Sequence, residues 1–258
     1  MAGKAIRTVT VRGVTIGEGS PKVIAPLTGS SPEQLRSQVD ALLDVRPDLA
    51  EWRADHFAPL SDTAAVTATA RELTGRLAGI PLLFTCRTRA EGGQAEIDDE
   101  AYGELNTAVI RSGHADLVDV EYRRASGVVR RIVEAAHGHG VPVIASNHDF
   151  SGTPEKDEIV ARLREMQELG ADICKIAVMP RSAADVLTLL DATRTMHEEY
   201  ADRPLITMAM GGLGLVSRLA GRVFGSAATF GMVGTASAPG QIDVTELRTV
   251  LEVLDRAV

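Results

Sequence analysis

Short apolar and β-branched runs recur along the chain, and each is followed by a longer stretch in which apolar residues have helical spacing. Such runs, about four to eight residues long, are typical of β-strands that are buried on both faces. The rhythm predicts eight βα units, whose strands lie at residues 22–27, 49–53, 81–87, 115–122, 141–147, 171–178, 204–210 and 226–231. Before them, residues 7–17 alternate around Arg12 and Gly13, which predicts a short β-hairpin.

Several helix starts can be predicted from their capping residues. Residues 31–33 combine a serine cap, a proline at the first helical position and an acid in the first turn. Residues 153–155 repeat this pattern before a helix that we expect to stop at Gly170. Residues 181–185 open the next predicted helix, and Asp243 opens the last one.

Eight βα units in about 250 residues are typical of an α/β fold of the (β/α)8 TIM-barrel type. A doubly wound open sheet is the main alternative, but the first βα turn, residues 26–32, lacks the G-x-G-x-x-G fingerprint. No linker or low-complexity tract interrupts the rhythm. We therefore predict one barrel domain over residues 1–258, with an N-terminal hairpin in residues 1–20 that closes the barrel bottom.

Composition and charge limit the classes of partner. The net charge of -8 argues against a nucleic-acid surface. The first residues lack the apolar core of a signal peptide, and no apolar stretch is long enough to span a membrane. Cys86 and Cys174 both lie in apolar runs, which favours buried, reduced thiols. We expect a cytoplasmic protein that acts on a small molecule and binds neither nucleic acid nor membrane.

Polar residues gather where the predicted strands end, which in a barrel is the end that carries the chemistry. One mouth would collect cations, carboxylates, a histidine and a lysine. The residues concerned are Glu51, Arg53, Arg87, Asp119, Glu121, Ser146, Asn147, His148, Lys175, Met208, Met210, Ser237 and Gln241.

Lys175 interrupts the run ADICKIAV, which is otherwise suited to full burial. Burial disfavours the charged form of an amine, and a neutral amine can attack a carbonyl to form a Schiff base. The alternative is a structural lysine that pairs with a carboxylate such as Glu121. The position of Lys175 at the mouth favours catalysis.

His148 follows the predicted strand 141–147, next to the strand of Lys175, and a histidine there can transfer protons near neutral pH. The alternative is a loop histidine that caps a backbone carbonyl. The other five histidines lie in helical or loop stretches without H-x-x-x-H or zinc-type cysteine spacing, so we expect no metal.

Two loops offer further candidate residues. Arg87 and Glu91 lie in a charged loop that could fold over a ligand about residues 92–93, or could be a solvated flexible loop. Arg218 suits bidentate binding of a carboxylate, and its alternative is a surface salt bridge. The glycine-rich residues 211–214 could cradle a phosphate, although a helix entry alone explains them.

Taken together, seven segments resemble the type I 3-dehydroquinate dehydratase family, the Schiff-base-forming enzymes of the shikimate pathway. They occur in the family's order and extend over nearly the whole chain. These segments are EWRAD (51–55), FTCRTRAEGG (84–93), SNHDF (146–150), ADICKIAVMP (171–180), ITMAMG (206–211), SRLAG (217–221) and ASAPGQ (236–241).

The resemblance implies a mechanism without cofactor or metal. Lys175 would form an imine with the C3 ketone of 3-dehydroquinate. His148 would remove the C2 proton and then protonate the departing C1 hydroxyl, while Glu91 orients the histidine. Hydrolysis of the imine would release 3-dehydroshikimate. The family also implies a homodimer.

The resemblance further implies which residues bind the substrate. Glu51, Arg53 and Arg87 would hold the ring hydroxyls. Arg218 would anchor the carboxylate together with two residues of a closing loop, Ser237 and Gln241. The apolar side of the site would be formed by Met208, Met210 and Phe230. One departure is Pro26, which stands where some members carry a hydroxyl side chain.

Two other functions stay open on the residues alone. A class I Schiff-base aldolase shares the barrel and the lysine, but it would need a phosphate site after the last two strands. A non-catalytic ligand-binding barrel would keep the pocket without turnover. Against it, a binder has no reason to retain Lys175, His148 and Glu91 together.

Overall fold

A computed structural model describes residues 5–234 and 237–257 of the chain. Strands β1 (Val9–Val11) and β2 (Val14–Ile16) form an antiparallel hairpin. Eight parallel strands follow in a second sheet: β3 (Lys22–Leu27), β4 (Leu49–Arg53), β5 (Leu82–Thr85), β6 (Leu117–Glu121), β7 (Val143–Asp149), β8 (Ile173–Val178), β9 (Leu205–Ala209) and β10 (Ala228–Phe230). Their spatial order is β10-β3-β4-β5-β6-β7-β8-β9. A bridge between Leu205 and Ser226 brings the two ends together, so the sheet is a nearly closed barrel and the predicted fold is confirmed.

Helices connect successive strands and cover the outside of the barrel. The helices are α1 (Pro32–Val45), α2 (Thr63–Arg76), α3 (Asp99–Ser112), α4 (Ser126–Gly138), α5 (Lys156–Glu168), α6 (Ala183–Thr195), α7 (Leu215–Leu219), α8 (Gly221–Phe224) and α9 (Val244–Asp255). Between β9 and β10, the two short helices α7 and α8 stand in for one long helix.

The predicted helix starts are confirmed with one exception. Ser31 caps α1, Ser182 forms a capping box with Asp185 at α6, and Asp243 caps α9. The prediction that α5 starts at Pro154 was wrong, because this helix begins at Lys156. Residues 151–153 are instead tied to the end of β8, since the backbone N–H of Met179 donates to the carbonyl of Gly152 at 3.1 Å.

The inside of the barrel changes character along its axis. Near the strand starts, inward residues such as Ile24, Leu83 and Ile173 belong to an apolar cluster that continues to Met208 and Phe230 near the strand ends. The hairpin residues Val9, Val11 and Ile16 belong to this cluster, so the hairpin packs against the starts of the strands. The inward residues near the strand ends are mostly polar, so the C-terminal end of the barrel holds the candidate site.

Three further predictions concern the cysteines, membrane-spanning helices and metal sites. Cys86 and Cys174 are free and buried as predicted, and burial raises the pKa of each thiol to about 12. Within residues 5–234 and 237–257, no helix combines the length and the apolar character needed to cross a bilayer. The same residues contain no group of three or more His, Cys, Asp or Glu side chains arranged to hold a metal ion.

Candidate active site

The strand ends surround a cavity of about 300 Å³. Alternation along each strand turns every second side chain inwards, so residues two apart share the same face. Gln241 bonds to a residue of the cavity wall, whereas the other predicted site residues line the cavity themselves: Glu51, Arg53, Arg87, Glu91, His148, Lys175, Met208, Arg218 and Ser237. Met210 and Phe230 form part of its apolar wall.

Lys175 projects from β8 into this cavity and is 3% exposed. Its Nζ donates to Oδ2 of Asp119 at 3.0 Å and lies 4.0 Å from Oε1 of Glu51. The same nitrogen lies 4.6 Å from the ring centroid of Phe230, a cation–π distance. The carboxylate that pairs with the amine is therefore Asp119 and not Glu121, which sequence reasoning had suggested as its partner.

Asp119 is fully ionised because cations surround it. It accepts hydrogen bonds from Arg87, from Lys175 and, at 2.6 Å, from Oγ of Ser146. Burial opposes the charged form, but Arg87 and Lys175 outweigh it and hold the pKa of Asp119 well below its usual range. The sequence places Asp119 at a strand end, but only the structure shows that it pairs with Lys175.

Arg87 contacts three buried carboxylates. Its guanidinium donates to Asp119, to Glu121 at 3.2 Å and to Ser146 at 3.0 Å, and it lies 3.6 Å from Glu91. Burial would lower the pKa of Arg87, but these carboxylates raise it well above the usual value. The arginine therefore stays charged and orders the acidic residues around it.

His148 and Glu91 form the second polar pair. Strand β7 extends through Asp149, so His148 lies within the strand rather than just past it. Oε2 of Glu91 accepts from the backbone N–H of His148 at 3.0 Å and lies 2.9 Å from Nδ1 of its ring. A carboxylate at this position favours the tautomer with hydrogen on Nδ1, which leaves the lone pair on Nε2.

The charge states of this pair follow from burial. Burial, with the nearby cations of Arg87 and Lys175, holds the pKa of His148 well below its usual value, so the imidazole is neutral. Burial also raises the pKa of Glu91 to about 7, although Arg87 opposes this shift. Near neutral pH the imidazole is therefore neutral, and Glu91 lies close to the midpoint of its own titration.

The loop that carries Glu91 is a compact turn rather than a flexible one. Glu91 ends a 3-10 turn, Arg89–Glu91, and the backbone N–H of Gly93 donates to the carbonyl of Thr88 at 2.8 Å. A Cβ on Gly93 would lie 2.1 Å from the carbonyl oxygen of Arg87, so only glycine allows this approach. Neither the flexible joint nor the solvated loop considered from the sequence describes these residues.

A further ion pair supports this turn from the neighbouring strand. Arg53 donates two hydrogen bonds of 2.8 Å to Asp55. Asp55 also accepts from the backbone N–H groups of Arg87 and Gln94. Beside them, Oγ1 of Thr85 donates to Glu51 at 2.9 Å. Sequence reasoning assigned no role to Thr85, although a polar residue two positions before Arg87 on the same strand face is the signal that could have found it.

Arg218 is a buried cation whose guanidinium is only partly satisfied. It is 2% exposed, which excludes the surface salt bridge considered from the sequence. Its Nη2 donates to the carbonyl of Pro239 at 3.1 Å, and its Nε has no hydrogen-bond partner among the described residues. Burial lowers its pKa to about 10 with no offsetting carboxylate in residues 5–234 and 237–257. Such a group is suited to an incoming anion.

Residues 237–241, after β10, contact Arg218 through the carbonyl of Pro239. The backbone N–H of Ser237 donates to Oε1 of Gln241 at 2.8 Å, so Gln241 holds the cavity-lining Ser237. The backbone N–H of Gly211 donates to the carbonyl of Pro239 at 3.1 Å. The glycine-rich turn therefore holds Pro239 in place. Ala236, part of the motif recognised in the sequence, lies outside the described residues.

Comparisons with known proteins point to a single family. Residues 23–257 match the family model of type I 3-dehydroquinase. The 3-dehydroquinate dehydratase of Bacillus licheniformis is 52% identical over 250 residues, covering 97% of this chain and 98% of the relative. That of Escherichia coli is 52% identical over 252 residues, covering 98% of this chain and all of the relative (100%).

Solved structures agree with this match. The type I 3-dehydroquinate dehydratase of Clostridium difficile, with covalently modified comenic acid, superposes with a TM-score of 0.95 at 46% identity over 98% of this chain and 99% of that one. The enzyme of Geobacillus kaustophilus gives a TM-score of 0.94 at 40% identity, covering 98% of both chains. The chain therefore belongs to the type I 3-dehydroquinase family.

Proposed function

We propose that this protein is a hydro-lyase of the shikimate pathway that dehydrates 3-dehydroquinate through an imine on Lys175. The observation that carries the proposal is the pairing of two reactive groups around one buried cavity. The amine of Lys175 is held by Asp119, and the imidazole of His148 is held by Glu91. Relatives with about half of their residues identical are named 3-dehydroquinate dehydratase.

The covalent step begins at Nζ of Lys175. After the ammonium has lost a proton, the amine attacks the C3 ketone, and one water leaves as the imine forms. The protonated imine is a cation at the position that Nζ occupies 3.0 Å from Asp119. Because Asp119 stays ionised, it stabilises this cation electrostatically. Covalent modification in the Clostridium difficile relative is consistent with a nucleophile in this family.

The proton transfers belong to His148. The imine withdraws electrons and acidifies the C2–H, and the neutral imidazole takes that proton at Nε2. The resulting enamine expels the C1 hydroxyl, which leaves as water with the proton that His148 returns. A second water then hydrolyses the imine, so the net products are 3-dehydroshikimate, one water and the free lysine.

Arg218 is the anchor that we assign to the substrate carboxylate. A guanidinium can bind a carboxylate through two parallel hydrogen bonds, and the unpartnered Nε of Arg218 is available for one of them. Ser237 and Gln241 would close over the same group from the loop after β10. We assign the ring hydroxyls to Glu51, Arg53 and Arg87, and the apolar face to Met208.

The aldolase alternative receives less support from the geometry. A sugar phosphate would need free backbone N–H groups after β9 and β10. The N–H of Gly211 already donates to Pro239. The family resemblance leads us to propose also that the whole chain acts as one catalytic domain, in a cytoplasmic homodimer. Light scattering coupled to size-exclusion chromatography tests the dimer.

Borohydride trapping tests the proposed chemistry. Reduction in the presence of 3-dehydroquinate should attach the ligand to the peptide that carries Lys175, and Lys175→Ala should abolish both the adduct and the dehydration. His148→Ala should still give the adduct, while its kcat falls by about 10²–10⁴-fold because proton transfer is lost. Lys156→Ala, which removes a partly exposed lysine paired with Asp191, is the matched control and should leave both readouts unchanged.

Two outcomes would contradict the proposal. One is dehydration by the Lys175→Ala variant, and the other is an adduct mapped to a different lysine. Replacing 3-dehydroquinate with a phosphorylated aldehyde in the same experiment tests the aldolase, which would be favoured only by trapping with the aldehyde.

A further inference from the structure

Asn147 connects the catalytic pair to a helix on the outside of the barrel. It lies on β7 between Ser146 and His148, so alternation turns its side chain to the opposite face. Its Nδ2 donates to Oε1 of Glu91 at 3.2 Å, and its Oδ1 accepts from Nη1 of Arg162 at 3.0 Å. Asn147 is 5% exposed and Arg162 is 8% exposed, so water is largely excluded from both bonds.

The two neighbours of Asn147 together allow only one orientation of its amide. A guanidinium has donors and no acceptor, so the amide oxygen must face Arg162. An ionised carboxylate only accepts, so the amide NH2 must face Glu91. Rotating the amide by half a turn would break both bonds. The amide NH2 would then face the donors of Arg162, and the amide oxygen would face the carboxylate of Glu91.

Arg162 is itself held firmly within α5. Its Nε donates to Glu158, one turn earlier on the same helix, at 2.8 Å. Its Nη1 also lies 3.2 Å from Oδ2 of Asp149, at the end of β7. The guanidinium is therefore fixed by both the helix and the strand, and its direction towards Asn147 follows from them.

We infer that Arg162 is a positioning residue for the dehydration, because it orients Asn147 so that Asn147 fixes Glu91 against His148. This inference rests on the proposed function. Oε1 of Glu91 is held by Asn147, and Oε2 is held by the backbone and ring nitrogens of His148. Without Arg162, the first of these contacts loses its defined orientation.

The environment of Glu91 determines the direction of the effect. Arg87 lies 3.6 Å away and favours its ionisation, while the carboxylates of Glu121 and Asp119 oppose it. The bond from Asn147 is among the contacts that lower the pKa of Glu91 against the effect of burial. Its loss raises that pKa further, so the acid limb of the pH profile should move to higher pH.

The first test compares two arginines on the same helix. Arg162→Met should lower kcat by about tenfold or more, leave KM within about twofold, and move the acid limb of kcat/KM up by roughly half to one pH unit. Arg162→Lys keeps a donor and should restore part of the loss. Arg164→Met removes an exposed arginine that lies over the ring of Tyr200, and it should keep the wild-type profile.

A second variant distinguishes a positioning role of Arg162 from a purely structural one. Asn147→Asp keeps an acceptor for Arg162 but replaces the donor that faces Glu91. It should therefore shift the pH profile in the same direction as Arg162→Met while the protein stays folded, as followed by denaturant unfolding. Both variants should still give the borohydride adduct on Lys175, because the imine step does not use this chain of contacts.

The outcomes separate the two proposals. Wild-type pH profiles in Arg162→Met and Asn147→Asp overturn the inference, as does a loss of activity that scales only with unfolded protein. Wild-type protein that neither traps nor dehydrates 3-dehydroquinate overturns the proposed function, and the inference falls with it.

Discussion

At the residue scale, Lys175 and Asp119 show why a buried ion pair points to chemistry. Burying two charges is expensive, and apolar residues of similar volume often stabilise a core at least as well. The protein nevertheless buries this pair together with Arg87, which also donates to Asp119. Stability alone gives no reason for this arrangement. The proposed imine chemistry gives one, because a carboxylate that stays ionised next to the amine would stabilise the cationic imine.

The pH dependence should report on Glu91. Its pKa is raised to about 7, so it becomes a carboxylate, and an acceptor for the ring N–H of His148, as the pH rises through that value. The pH dependence of kcat/KM reports the ionisation of groups in the free enzyme. We therefore expect kcat/KM to increase between about pH 6 and pH 8, as Glu91 ionises, and then to level off. Measuring kcat/KM across this range for the wild type and for Glu91→Gln checks the assignment.

Glu91→Gln supplies the control for this limb. Glutamine keeps an oxygen acceptor but does not ionise, so this variant should be slower at every pH and should lack the rise near pH 7. If the rise persists in Glu91→Gln at the same pH, another group is responsible for it.

Sequence reasoning predicted the residues that line the cavity but not their partners. Lys175 stands out because a lysine in an apolar run is unusual, whatever the fold. Asp119 and Glu121 share one face of β6, and either could have faced the amine. The strand register alone would favour Glu121, since it aligns Glu121 with Ser146 and Ser146 with Lys175. The amine bonds Asp119 instead, while Glu121 accepts hydrogen bonds from Arg87 and Thr88, and these side-chain contacts are visible only in the structure.

At the scale of elements, the turn between β5 and α3 is the part of the site most dependent on backbone geometry. It brings Arg87 and Glu91 to the cavity and is fixed by Asp55, which lies in the 3-10 turn after β4. Glycine is required at position 93 because the carbonyl of Arg87 lies where a side chain would begin.

Gly93→Ala should therefore damage catalysis more than stability. Its new methyl group must push away the carbonyl of Arg87, and a displacement of about 1 Å at a catalytic group can reduce kcat by about a hundredfold. Gly127→Ala is the matched control, because a Cβ there, on helix α4, meets nothing within 4 Å. That variant should keep full activity and gain about 0.5–1 kcal/mol in unfolding free energy. Steady-state kinetics and denaturant unfolding of both variants test this, and an active Gly93→Ala enzyme would contradict it.

The elements themselves were predictable to within a few residues. Apolar runs marked every barrel strand, and the caps of α1, α6 and α9 were correct because serine and aspartate cap locally. The start of α5 was wrong because long-range bonds hold the residues after β7 against the end of β8. The compact turn at residues 87–95 was also missed, since its glycines are typical of flexible loops and of tight turns alike.

At the scale of the whole molecule, the barrel separates stability from chemistry along its axis. The apolar cluster that includes Ile24, Leu83 and Ile173 fills the strand starts and continues to the cavity wall at Met208, Met210 and Phe230, whereas the ionisable groups lie only near the strand ends. The hairpin extends the apolar cluster at the strand starts, and we propose that it closes this end of the barrel. The sequence predicted the hairpin from its alternation.

Ile16→Ala tests that separation. Ile16 is fully buried in the apolar cluster, so removing its side chain should lower the unfolding free energy by about 2–5 kcal/mol. Thr10→Ala, on the exposed face of the same hairpin, should change it by no more than about 0.5 kcal/mol. Because the cavity lies at the opposite end, kcat and KM of both folded variants should match those of the wild type. A fall in kcat for Ile16→Ala at a temperature where the protein is fully folded would mean that the two ends of the barrel are coupled.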